Sequence, residues 1–131
     1  RPLLVAVENT DGFAAHEKTA VERLLQSPVF ALTLDVGHSH AAGDVDLPFY
    51  GRHEGKLRHI HLHDASGKSN HLPLGTGQVD LPARLALARR TGARVVLETK
   101  TIGALKASIL WLSQFREAQE GPLSTGESRV F

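Results

Sequence analysis

Four short apolar runs each close on a side chain able to bind a cation. Leu3-Leu4-Val5-Ala6-Val7 leads to Glu8, and Ala31-Leu32-Thr33-Leu34 leads to Asp35. His59-Ile60-His61-Leu62-His63-Asp64 carries imidazoles through its run, and Val95-Val96-Leu97 leads to Glu98. Runs of this kind read as buried strands. A strand ending in Glu, Asp or His sets a ligand-capable group at one rim of a sheet, and four such ends on one rim make a site for a divalent metal. Glu8, Asp35, His61 and Glu98 offer three carboxylates and one imidazole. Mixed oxygen and nitrogen donors suit Mn²⁺, Mg²⁺, Zn²⁺ or Co²⁺, and without sulfur they single out none of these.

Three neighbours extend the set. His38 lies three residues past Asp35 in Asp35-Val36-Gly37-His38. Gly37 is expected to permit a tight turn that brings His38 back over the rim, to ligate a metal or bind a substrate hydroxyl. His71 sits in the Gly-rich stretch Asn70-His71-Leu72-Pro73-Leu74-Gly75-Thr76-Gly77, the composition of a loop that covers a substrate. Asp64 either orients a ligand imidazole from behind or caps the loop that follows it.

The elements that must position these groups alternate strand and helix. A turn at Asn9–Gly12 precedes a helix over His16–Gln26, with Val21, Leu24 and Leu25 on one face and Ser27-Pro28 as its stop. A strand over Val29–Asp35 follows. The Gly-rich stretch from Gly37 to Arg58 has room for one short helix near Leu47–Tyr50. A third strand over Leu57–His63 leads to a loop over Ala65–Gln78. Asp80 and Pro82 open a helix that Gly92 closes. A fourth strand spans Ala93–Glu98, and a last helix runs from Ile102 to about Ala118. Residues 121–131 read as a flexible tail.

Four βα units in a row imply an α/β fold with a parallel sheet and helical crossovers. The four strand ends are spaced 27, 26 and 37 residues apart, against roughly 31 per unit in a complete (β/α)₈ barrel. Residues 1–120 therefore make half a barrel. Side chains alternate faces along a strand. Glu8 shares a face with Leu4 and Ala6, Asp35 with Ala31 and Thr33, His61 with His59 and His63, and Glu98 with Arg94 and Val96. The opposite face is uniformly aliphatic, as helix-covered faces are, and the mixed face suits a barrel interior. In such barrels the chemistry lies at the C-terminal strand ends, where all four groups fall.

Composition sets the remaining bounds. The 131 residues suffice for one modest domain. A net charge of +1 makes no electrostatic case for a nucleic-acid partner. The absence of cysteine excludes disulfides and thiolate metal sites. No apolar run approaches the roughly 20 residues that span a bilayer, so a cytoplasmic protein with no membrane partner is the default expectation. All histidines but His16 lie between His38 and His71, and they are interleaved with Leu, Ile and Asp rather than contiguous as in a tag.

The chain resembles the xylose isomerase-like TIM-barrel superfamily, which holds sugar (phosphate) isomerases and epimerases and the endonuclease IV type of AP endonuclease. The resemblance is carried by Val7-Glu8-Asn9-Thr10, Leu34-Asp35-Val36-Gly37-His38, His61-Leu62-His63-Asp64, His71-Leu72-Pro73-Leu74-Gly75-Thr76-Gly77 and Leu97-Glu98-Thr99, and it covers the C-terminal half of that barrel. It implies that Glu8, Asp35, His61 and Glu98 are the metal ligands. It also implies a substrate-binding or second-metal role for His38 and a second-metal role for His71. The endonuclease-type trinuclear zinc site uses an Asp two residues before the equivalent of His71, where this chain has Ser69. One ion per site is therefore expected.

The activity so implied is isomerisation or epimerisation of a sugar or sugar phosphate. Proton transfer would pass through a metal-stabilised enediolate, with Glu8 and Glu98 moving the proton. The alternatives are zinc-dependent phosphodiester hydrolysis at abasic DNA, and a non-catalytic half-barrel. An open four-stranded sheet exposes both edges and an inner face that includes Leu4, Ala31 and Val96. Self-association, or pairing with an N-terminal half-barrel, is expected to cover them.

Overall fold

The computed structural model describes residues 2–121, so the tail expected over 121–131 lies outside the described residues apart from Gly121. In chain order the elements are β1 (Val5–Glu8), α1 (Ala15–Leu25), β2 (Phe30–Asp35), α2 (Val36–Ala41), α3 (Leu47–Arg52), a 3₁₀ turn (Glu54–Lys56), β3 (Leu57–Leu62), β4 (Asp64–Ser66), β5 (Ser69–Leu72), α4 (Leu81–Thr91), β6 (Arg94–Leu97) and α5 (Ile102–Glu120). β1, β2, β3 and β6 form one parallel sheet in that order. With its helices this is a partial TIM barrel.

Helix boundaries follow local chemistry. Asp80 accepts from the Ala83 amide at 3.1 Å, Pro82 stands in the first turn of α4, and Gly92 ends that helix at φ +71°. Thr101 caps α5 through the Ala104 amide at 3.1 Å. Aliphatic side chains on the outer face of β2 and β3 (Leu32, Leu34, Ile60 and Leu62) are fully buried against Val21, Leu25, Phe49, Leu81 and Leu87 from the helices.

Four expectations change. The stretch from 37 to 58 holds α2, α3 and a 3₁₀ turn rather than one short helix. Phe49 and Tyr50 anchor it in the core at 1% exposure each. The loop after β3 contains an antiparallel hairpin, β4–β5. The outer face is not uniformly covered, because Val5 and Val95 lie on the two edge strands and are 40% and 38% exposed. On the inner face Leu4 and Val96 are exposed as expected. Ala31 is buried instead, being a small side chain on an inner strand flanked by β1 and β3.

Candidate metal centre

The strand register sets the groups out in a stagger. Asp35 lies opposite His61 and His61 opposite Val96, while Glu8 lies opposite Thr33. Glu8 is thus two residues short of the Asp35–His61 level, and Glu98 two residues beyond it. The longer glutamate side chains close these gaps. His61 Nδ1 is 3.3 Å from Glu8 Oε1, 3.3 Å from Glu98 Oε1 and 4.0 Å from Asp35 Oδ2. Glu8, Asp35 and Glu98 thus each lie within 4.0 Å of His61 Nδ1, while Glu8 and Glu98 fall in separate donor groups. His59 is one layer deeper, opposite Thr33 and Arg94.

Asp35 is the buried centre of the cluster, with no exposed surface. Its Oδ1 accepts from the His38 amide at 2.8 Å, which caps α2, and contacts His63 Nε2 at 2.8 Å. Its Oδ2 is buried without a hydrogen-bond partner among the described residues. Burial alone would push the Asp35 carboxyl up. The His63 hydrogen bond, the His38 amide and the fields of both imidazoles outweigh it and hold the carboxyl below its ordinary value.

His38 reaches the rim by a route other than the expected turn. The chain passes from β2 directly into α2, and Gly37 is helical rather than left-handed. Gly37 is needed for space, since a Cβ there would overlap the His63 ring. His38 Nδ1 lies 3.5 Å from Asp35 Oδ2 and 4.0 Å from Glu8 Oε1. His71 faces the site from β5. Its Nδ1 meets Asn70 Oδ1 at 2.7 Å, so in the neutral ring Nε2 carries the lone pair, and Nε2 is 3.7 Å from Glu98 Oε2. Two acceptors facing each other across such a gap suit a cation between them. Asp64 proves to cap the loop. Its carboxylate accepts from the amides of Ala65, Gly75 and Val79 at 2.9, 2.9 and 3.1 Å.

Two residues escape strand-end reasoning. His63 is fully buried and contacts Asp35 through Nε2, while its Nδ1 accepts from the His71 amide at 2.8 Å. Its parity matches that of His61, so periodicity alone does not separate the ligand from its support. Asn9 ties β1 to β2. Its side chain donates to the Asp35 carbonyl at 3.0 Å and accepts the Asp35 amide at 2.8 Å. The Tyr50 hydroxyl lies 3.1 Å from Asn9 Oδ1 and donates to the Thr33 carbonyl at 2.7 Å. An amide directly after the strand-ending Glu8 was the available signal for Asn9.

The donors fit a divalent ion. Asp35, His63, His71 and Glu98 each bring a donor atom within 4.8 Å of the others, and Glu8, Asp35 and His38 do the same. Both His63 nitrogens are already engaged by protein groups, and His61 Nδ1 meets Glu8 Oε1 at 3.3 Å. Asp35, with a buried oxygen that lacks a hydrogen bond among the described residues, is common to both groups, an arrangement a cation satisfies. Larger apolar hollows, such as that between α4 and α5 lined by Leu85, Val95, Leu112 and Phe115, lie on the helical side away from these groups.

The metal-free protein is expected to lose stability stepwise on acidification. His71 is held below the ordinary histidine value, first by burial and then by His63, against the opposing pull of Asp35 and Glu98. Both His71 and Asp35 bind fewer protons folded than unfolded, so stability rises with pH. The His71 contribution is complete above pH ~6.5 and the Asp35 contribution above pH ~3.9, and each is lost as pH falls through the lower folded value. Urea midpoints measured in chelator between pH 7.5 and 3 should fall through both ranges, and a flat profile would contradict this.

The family model for the xylose isomerase-like TIM barrel matches residues 3–115. No curated protein matches the chain.

Proposed function

The chain belongs to the xylose isomerase-like TIM-barrel family, and on that premise we propose that residues 1–120 are the C-terminal half of a divalent-metal-dependent sugar or sugar phosphate isomerase or epimerase. The observation that carries this is Asp35 Oδ2, buried without a hydrogen bond among the described residues, beside the other carboxylates and the rim imidazoles. Glu8, Asp35, His61 and Glu98 would hold the ion. It supplies positive charge that makes a hydrogen on the carbon beside a carbonyl more acidic. Glu8 and Glu98, both 3.3 Å from His61 Nδ1, would take and return that proton on the substrate carbon between them. His38 borders a cavity of about 250 Å³ shared with Thr10, Asp11, Lys68 and Asn70, groups suited to sugar hydroxyls.

The test is α-hydrogen exchange with D₂O, followed by NMR on a panel of ketoses and ketose phosphates with Mn²⁺, Mg²⁺, Zn²⁺ or Co²⁺. Ion-dependent exchange that disappears in Glu8→Gln supports the reading. No exchange on any member of the panel overturns it.

A second reading rests on the His71–Glu98 gap, which admits a further ion and with it phosphodiester hydrolysis at abasic DNA. Ser69 in place of a carboxylate and the net charge of +1 weigh against it.

The exposed inner face and the two strand edges would be covered by a second copy or by an N-terminal half-barrel. Size-exclusion chromatography should show association, and a stable, non-aggregating monomer would contradict it.

A further inference from the structure

We infer that His63 is a positioning residue through which the β4–β5 hairpin sets the metal-facing carboxylate of Asp35. The inference rests on the metal reading of the cluster and goes beyond it in naming what holds the ligand in place.

The chain of contacts is continuous. His63 Nδ1 accepts the His71 amide at 2.8 Å, so that nitrogen carries no proton. The ring proton is on Nε2 and is donated to Asp35 Oδ1 at 2.8 Å. Oδ1 also accepts the His38 amide. With Oδ1 doubly engaged, Oδ2 is the atom left to face an ion, and it is the one without a hydrogen bond among the described residues.

The ring itself cannot drift. It is fully buried, lies where a Gly37 side chain would be, and stacks on the His71 ring at 4.2 Å and 3°. The amide it accepts comes from a strained position, since His71 has φ +57°, a region non-glycine residues rarely adopt. The hairpin and the loop after it are tied down by Asp64 through three amides and by the Gln78 amide to the Ala65 carbonyl at 2.7 Å. At Gly77 a Cβ would overlap the Ala65 backbone and Asp64. The loop latch, the hairpin amide, the imidazole tautomer and the carboxylate thus form one line.

The test measures ion affinity by calorimetry with Mn²⁺ or Zn²⁺, thermal midpoint, and ¹⁵N imidazole NMR on the whole chain. His63→Leu should weaken ion binding about 10–100-fold. His63→Gln, which keeps a donor toward Asp35, should recover most of that loss even if its thermal midpoint stays low. Gly77→Ala alters only the latch, yet it should weaken ion binding and shift the His63 Nε2–H signal. Wild-type spectra should show the proton on Nε2. A proton on Nδ1, equal ion affinity in His63→Gln and His63→Leu, or unchanged ion affinity in Gly77→Ala would each overturn the inference while leaving the metal reading intact. If wild-type protein binds no ion, the metal reading fails and this inference fails with it.

Discussion

Gly37→Ala is expected to destabilise the folded chain by about 3 kcal/mol or more. A methyl group at that position overlaps the Cε1 and Nδ1 atoms of the His63 ring. The ring has no room to yield, because both nitrogens are hydrogen-bonded and the side chain is fully buried. Either α2 lifts away from β3 or His63 gives up its contacts with Asp35 and the His71 amide. Overpacking of a full core costs about 1–3 kcal/mol, and each buried group left unpaired adds about 1–3 more. A domain with about 5–15 kcal/mol of total stability would lose a large share of it. Gly51→Ala is the control. Gly51 lies within α3 with open space around it, so alanine there should be neutral or stabilise by up to about 1 kcal/mol. Urea denaturation of the two variants beside wild type checks the contrast. Equal midpoints for the two would show that the ring is not wedged beneath Gly37.

Asp35→Asn is expected to separate stability from ion binding. Asparagine keeps an oxygen for the His38 amide and for His63, and it caps a helix as well as aspartate does. Stability of the metal-free variant at pH 7 should stay within about 1 kcal/mol of wild type. The oxygen that lacks a hydrogen bond, however, is replaced by an amide group that cannot ligate a cation. Ion affinity should fall by more than the roughly 100-fold that supporting residues command. Asp35→Ala removes the cap and strands the His63 donor, so it should lose both ion binding and about 2–4 kcal/mol of stability. Calorimetric titration with Mn²⁺ or Zn²⁺, paired with urea midpoints in chelator, reads both quantities. An Asp35→Asn variant that binds ion as wild type does would remove Asp35 from the site.

The strand ends were legible because a two-residue period is a strong geometric rule. Glu8, Asp35, His61 and Glu98 share parity, and the register brings all three carboxylates to within 4.0 Å of His61 Nδ1. The same rule is blind to depth along a strand. His59, His61 and His63 share one face, yet one lies a layer below the rim, one is the candidate ligand and one is the buried support. Which is which depends on Gly37, whose lack of a side chain matters for space and not for a turn. The hairpin was hidden because β4 and β5 are three and four residues long in a Gly/Ser/Asn-rich segment. The stretch holding α3 read as polar and Gly-rich, although Phe49 and Tyr50 within it are core residues. Tyr50 shows why its position matters. Its hydroxyl closes the Asn9 clamp between β1 and β2, and burial there raises its pKa.

The most direct test of the central claim is the divalent-metal content of purified protein, determined by elemental analysis beside its Glu98→Gln variant. The expected result is about one ion per chain in wild type and its loss in Glu98→Gln. Close to three zinc ions per chain, or no bound ion together with no loss of stability in chelator, would contradict a single-ion site built on Glu8, Asp35, His61 and Glu98.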